Sequence, residues 1–243
     1  MSHHIRFITY NIRKGKGASV FAGNYFKSLG NALRDYAPDL LLCQEVSHFY
    51  YPMISQSVEL GKMLSLNSYY EPNKHRRDGH HGNATFTCHP VTHACNYDVS
   101  TNKIERRGVL YVCLEVARRK VHVLNVHLGL NQAQRIFQLK SITAILANRV
   151  QTSDAVIMAG DFNDWNRKLE KIIVNQLGFI NALGHLPPQA VRTWHSRRPV
   201  FNLDRVYVRN IATKQALRLV GSPWRELSDH LPLIVDFDVT TSL

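Results

Sequence analysis

The stretch VIMAGDFNDW, residues 156–165, decides the reading of this chain. Val156 to Gly160 form a short apolar run of the kind that fills a buried strand. Asp161, Asn163 and Asp164 follow at once. Taken alone, Asp161 reads as the cap of a helix starting there. The alternative is a side chain that the strand delivers to a site handling a metal or a phosphate. The rest of the chain decides between them.

Working outward, IRFITYNI (5–12), DLLLCQEV (39–46), GVLYVCLEVAR (108–118), KVHVLNVHL (120–128), LDRVYVRN (203–210) and LPLIVDFDV (231–239) read as strands. ATFTCHPV and the residues beyond it read as short strands. Arg118-Arg119-Lys120 lies between two alternating runs, where a hairpin turn would fall. Apolar residues at helical spacing predict helices over 24–37, stopped by Pro38, and over 131–150, with shorter helices near 52–65 and 166–177. Residues 71–83, EPNKHRRDGHHGN, read as a polar, basic loop. With no linker and no repeat, one domain over 1–243 is expected. Strands outnumber helices, which predicts an α/β chain of two packed sheets with helices outside.

A chain of 243 residues buries a full core without disulfides or metal staples. No apolar run reaches the roughly 18 residues of a membrane span, and the N-terminus lacks a signal-peptide pattern. A cytoplasmic protein is therefore expected. The four cysteines, Cys43, Cys88, Cys95 and Cys113, form no C-x-x-C pair, so they read as free thiols, with a Cys88–Cys95 bridge as the alternative. Thirty Lys and Arg against eighteen Asp and Glu give a net charge of +12 and a pI of 9.7. Such a field concentrates polyanions: nucleic acid, anionic lipid or phosphorylated small molecules.

Polar residues recur where the strands end. Asn11 ends the first, Gln44 and Glu45 the second and His127 the KVHVLNVHL strand. Asp161 and Asn163 follow AVIMAG, Asp204 opens LDRVYV, and Ser228, Asp229 and His230 precede the last strand. Each has an ordinary reading. Asn11 serves as a turn residue, Glu45 as a salt-bridge partner and His127 as a structural imidazole. Asp229-His230 serves as an Asx-turn, and Asp204 as the partner of Arg205. Jointly they deliver hard oxygen donors and imidazoles to one rim. That inventory suits Mg²⁺ and metal-assisted attack of water on phosphorus.

ITYNI, LLCQEV, GNATF, LNVHLGL, AGDFNDW, LDRVYV and LSDHLPL run in this order from residue 8 to residue 233. In them the chain resembles the endonuclease/exonuclease/phosphatase superfamily, the deoxyribonuclease I-like group. HHGNA, RGVLYV, VHLGL and GDFNDW resemble a branch of small bacterial members of unsettled substrate. The resemblance implies a four-layer α/β sandwich, two packed mixed sheets flanked by helices, with the site at one rim. It implies Mg²⁺, or Mn²⁺, with Glu45 as principal ligand and Asn11 and Asp229 beside the same ion. Asp161 and Asn163 would orient the attacking water and bind the scissile phosphate. His230 would steady the developing charge and shuttle a proton, with Asp204 fixing its orientation. His127 would be a second imidazole on the phosphate, and Asn83 would touch the phosphate too. Asp164 then becomes the helix cap and Trp165 a packing residue.

The resulting reading is a metal-dependent phosphodiesterase, a nuclease on DNA or RNA, acting as a monomer. The alternative is a phosphodiesterase or phosphatase for a phospholipid headgroup or a phosphorylated metabolite. A non-catalytic binder of DNA or protein is disfavoured because every expected site position is present. Residues 13–17 (RKGKG), Arg106-Arg107 and Lys74–Arg77 are candidate polyanion contacts.

Overall fold

The computed structural model describes residues 2–19 and 25–240. The first half of the chain runs β1 (Ser2–Asn11), α1 (Phe26–Arg34), β2 (Leu40–Phe49), β3 (Ile54–Ser55), α2 (Gln56–Leu64), β4 (Asn67–Arg76) and β5 (Gly79–Thr87). A 3-10 turn, Arg13–Gly15, follows β1. The second half runs β6 (Val91–Asp98), β7 (Gly108–Val116), β8 (Arg119–His127), α3 (Gln132–Arg149), β9 (Ala155–Asp161), α4 (Lys168–Asn175), β10 (Ile180–Asn181), β11 (Asp204–Arg209), β12 (Ala212–Arg218), α5 (Trp224–Leu227) and β13 (Leu233–Thr240).

One sheet has the order β12-β13-β1-β2-β5-β4, with β3 on β2; the other has β10-β11-β9-β8-β7-β6. Each holds one parallel pair, β1–β2 and β8–β9. Parallel neighbours need a crossover, and α1 and α3 supply it. Strand alternation sorts the core into layers. Phe7, Leu40, Leu42, Val112, Val123, Ile157, Val235 and Phe237 meet between the sheets. Ile8, Tyr10 and Leu41, one residue out of phase, pack outward against Leu29 and Leu33 of α1 and Leu60 of α2. Leu124 and Met158 do the same against α3 and α4. The layers are helix, sheet, sheet, helix, as expected.

A polar seam crosses the sheet interface. The Asn125 amide on β8 donates to the Cys43 and Ala84 carbonyls of the other sheet, at 3.1 and 2.9 Å. Its oxygen accepts from Gln44 Nε2 at 2.8 Å. Asn83 on β5 donates back to the Gly108 and Asn125 carbonyls.

The elements depart from expectation in several places. Residues 71–83 form a hairpin of β4 and β5, not a loop. The 24–37 helix is α1 alone, and residue 24 lies outside the described residues. The 52–65 segment splits into β3 and α2, and 166–177 shortens to α4. The β7–β8 turn is Ala117-Arg118, both at positive φ, so Arg119 and Lys120 belong to β8. All four cysteines are free thiols, and no Cys88–Cys95 bridge forms. No helix among the described residues is long and apolar enough to cross a membrane.

Candidate active site

β9 ends on Asp161 in register with His127 of β8 on one side and Asp204 of β11 on the other. Three strand ends therefore place two acids and an imidazole side by side. Asp161 is 2 % exposed. Its Oδ2 accepts from Asn11 Nδ2 at 3.1 Å, with His127 Nε2 at 3.5 Å and His230 Nε2 at 3.8 Å. Its Oδ1 accepts the Asn163 backbone N–H at 3.0 Å. The Asn163 amide donates to the Leu128 carbonyl at 3.0 Å, and Asn163 sits at φ 49°, which a carboxamide tolerates better than most side chains.

His230 precedes β13 and turns Nδ1 to Asp204 Oδ2 at 2.7 Å. Asp204 therefore pairs with His230, not with Arg205. Its Oδ1 is buried without a partner among the described residues. Burial disfavours the charged imidazole, yet Asp204 and Asp161 overcome it and raise the His230 pKa to about 10. Asp161 moves the other way for a carboxylate: burial, with Asp204 adding to it, lifts it to about 6 against the pull of His230. Burial and the Arg107 charge push His127 well below its usual range, so it stays neutral.

A raised imidazole pKa has a stability consequence. The folded pKa exceeds the ordinary 6.5, so the Asp204–His230 contribution is complete below about pH 6.5 and is lost as pH rises toward about 10. With chelator present, urea midpoints are expected to fall across that window, and His230→Gln to remove that part of the fall. A His230→Gln profile parallel to the parent would contradict the pairing.

Glu45 reaches the rim through a β-bulge. Cys43 pairs with Ala84 and Val46 with Gly82, so Gln44 and Glu45 oppose one residue. Glu45 sits at φ 56°, a strained position for glutamate of the kind that clusters at functional sites. The bulge sends Gln44 into the seam and Glu45 outward. Burial works against the Glu45 charge, but the Lys14 ammonium resting on Oε2, with His127 and His230 nearby, holds its pKa down to about 2. Arg13 Nε stands 3.5 Å from Asp229 Oδ2. The donor set fits a hard divalent cation: two carboxylates at one rim, where Lys14 already places positive charge.

Two expected residues sit differently. Asn11 donates from Nδ2 to Asp161, and its Oδ1 accepts the Arg13 N–H, so it braces Asp161 within the site. Both Asn83 amide hydrogens lie on backbone carbonyls, which leaves no donor for a phosphate; it belongs to the seam. Asp164 does accept from the first N–H groups of α4, Lys168 and Leu169, and it also grips Arg205 at 2.9 Å. Trp165 packs edge-on against Trp194 and Phe201. Arg13, Lys14 and Arg107 are expected from the sequence as polyanion contacts, but the pairing of Lys14 with Glu45 and of Arg13 with Asp229 is not legible there, because a basic turn carries no signal of where it folds back.

A two-sheet sandwich with paired acids, an acid-held histidine and a bulged glutamate at one rim defines a class of phosphoester hydrolase. The chain belongs to the Endonuclease/Exonuclease/phosphatase family, whose model matches residues 8–230. It is 33% identical over 240 residues to the uncharacterized protein YbhP of Escherichia coli (strain K12), covering 94% of each chain. In fold it is similar to an endonuclease/exonuclease/phosphatase from Bacteroides vulgatus, with a TM-score of 0.79, 17% identity, and 98% and 100% of the two chains covered. It is also similar to ANGEL2, a 2′,3′-cyclic phosphatase, with a TM-score of 0.78, 16% identity, and 98% and 95% covered. Truncated Caenorhabditis elegans TDP2 aligns with a TM-score of 0.71, 19% identity, and 97% and 98% covered.

Proposed function

We propose that this protein is a nuclease that hydrolyses phosphodiester bonds in DNA or RNA with the help of Mg²⁺ or Mn²⁺. The observation that carries the reading is a pair of basic cavities, one at the Glu45–Asp229 rim and one lined by Arg107. One, about 440 Å³, holds Arg13, Lys14, Lys16 and Arg76 around Glu45 and Asp229. The other, about 450 Å³, is lined by Lys74, Lys103, Arg106 and Arg107, with Asp98 among them, and the Arg107 charge acts on His127. Lys74 and Arg76, two apart on β4, contribute one to each. A single headgroup needs one such pocket; a polymer of phosphates uses a succession of them.

Glu45 and Asp229 would hold the cation, which would polarise a phosphoryl oxygen and neutralise its charge. The chain's own groups do the rest. Asp161, lifted into the range of a working base, accepts a proton from the attacking water, which it would orient together with Asn163. His230, held charged by Asp204, donates a hydrogen bond to a phosphate oxygen as negative charge develops. Water adds to phosphorus, the P–O bond to the leaving oxygen breaks, and that oxygen takes up a proton while Asp161 releases the one it accepted, giving a phosphomonoester and a hydroxyl.

Cleavage of supercoiled plasmid tests this. Nicking is expected to require Mg²⁺ or Mn²⁺ and to vanish in Glu45→Ala and His230→Ala. A folded protein that leaves plasmid and RNA intact while hydrolysing phospholipid or metabolite esters would replace the nuclease reading with that one.

A further inference from the structure

Away from the catalytic cluster, five rings gather at the far ends of β2, β4 and β5. His48, His80 and His75 are direct cross-strand neighbours over three adjacent strands. His48 and His80 stack at 4.7 Å and 11°. Tyr70 stacks on His80 at 5.5 Å and its hydroxyl meets His80 Nδ1 at 2.7 Å. His75 and Tyr50 close on His80 at 5.4 and 5.8 Å. Tyr50 and His75 are exposed, and the other three rings are half-buried. Burial and the neighbouring imidazoles lower the His80 pKa, so the centre of the cluster stays uncharged at neutral pH.

The cations lie beside these rings. Lys14, Lys16 and Arg76 share one cleft with His48 and His80, and the same three line the cavity around Glu45. His48 comes three strand residues after Glu45, about 10 Å. That separation lies within the few-nucleotide span of a bound single strand. A row of cations with aromatic ring faces alongside is the pattern by which proteins hold single-stranded nucleic acid: phosphates on the cations, bases on the rings. The cluster is not a ready metal site: among the described residues, three or more acids, imidazoles or thiols come within reach of one ion at Asp161, Asp204 and His230, not at these rings.

We infer that the Tyr50–His48–His80–His75–Tyr70 cluster is a base-stacking platform that receives a single-stranded or frayed segment of the polynucleotide whose phosphate lies at the catalytic rim; this rests on the nuclease reading above. Both the basic cleft and the ring faces are engaged by the same strand.

The test is fluorescence anisotropy with the full chain in EDTA. The probes are a labelled thymidine oligonucleotide of roughly twelve residues, the same length of abasic strand, and the corresponding duplex. Thymidine strand is expected to bind more tightly than abasic strand or duplex. Replacing both exposed rings, Tyr50→Ala with His75→Ala, is expected to weaken thymidine binding by about 5- to 100-fold and leave abasic binding unchanged. A circular dichroism spectrum and thermal melt of that variant that match the parent certify its fold. Equal binding of abasic and thymidine strands overturns the platform, and so does undiminished thymidine binding by the double variant. Loss of binding to phosphatidylserine vesicles, in place of loss of oligonucleotide binding, overturns it in favour of a membrane contact through the exposed Tyr51 and Met53. Stacking-dependent binding without any strand cleavage removes the nuclease reading and keeps the platform. Cleavage with base-independent binding does the reverse.

Discussion

Asp161→Asn is expected to lower phosphodiester turnover by about 10²- to 10⁴-fold, the usual share of a general base, in a protein that still folds. The replacement is nearly isosteric. Its oxygen still accepts the Asn163 N–H that Oδ1 accepts at 3.0 Å. What disappears is the carboxylate that the Asn11 amide, His127 and His230 all face. With it goes the acceptor for the proton of the attacking water. Burial opposes the Asp161 charge, so removing the charge is not expected to lower the melting temperature. Steady-state rates at saturating Mg²⁺, set beside a thermal melt, separate the two effects. Turnover within a few-fold of the parent would remove Asp161 from the chemistry. Asp204→Asn acts differently, because it leaves the base in place and loosens the imidazole.

The second large effect lies below the site. Arg205→Ala is expected to destabilise the fold by about 3–5 kcal/mol, the cost of stranding one member of a buried ion pair. Asp164 and Arg205 are both essentially unexposed. Arg205 holds Asp164 Oδ2 at 2.9 Å and the Asp164 carbonyl at 2.8 Å. Its Nη1 also donates to the Tyr207 hydroxyl. The second cation near Asp164, Arg135 Nε, stands 3.8 Å away. Without Arg205 the carboxylate keeps mainly the first N–H groups of α4. For a chain of this length the loss corresponds to roughly 6–20 °C in melting temperature. Calorimetry reads it directly; a melt within two or three degrees of the parent would show that Arg135 moves in and neutralises Asp164.

Much of the frame is legible in the residues because burial imposes period. Phe7 and Ile8 face different layers, and that alternation marks β1. Polar residues at strand ends are legible for the same reason: Asp161 and His127 each close an apolar run. The β4–β5 hairpin is not, because β4 is an edge strand whose side chains are half-exposed, polar or aromatic, so no alternation survives. The Asp78-Gly79 pair was the available hairpin signal, and it lies inside a run of charges. Edge strand β12 is missed likewise. Asn11 looks like a site residue because it closes β1, and Asn83 because it precedes the ATFTCHPV run, although in the structure it lies in the middle of β5. Whether an amide faces a ligand or a neighbouring carbonyl depends on the opposite sheet, which no local pattern encodes.

The polar seam between the sheets has a consequence for how such a protein can change. Asn125 sits two residues before His127, and its carboxamide holds Cys43 and Ala84 of the facing sheet. Purely oily faces can slide past each other by fractions of a residue at little cost; directional bonds to backbone carbonyls forbid that. The seam works as an alignment pin driven through the sandwich, and it fixes where Glu45 stands against Asp161 from a point neither residue touches. New substrate preferences can therefore be built in the turns around the rim, while the pinned interior keeps the reacting groups in register.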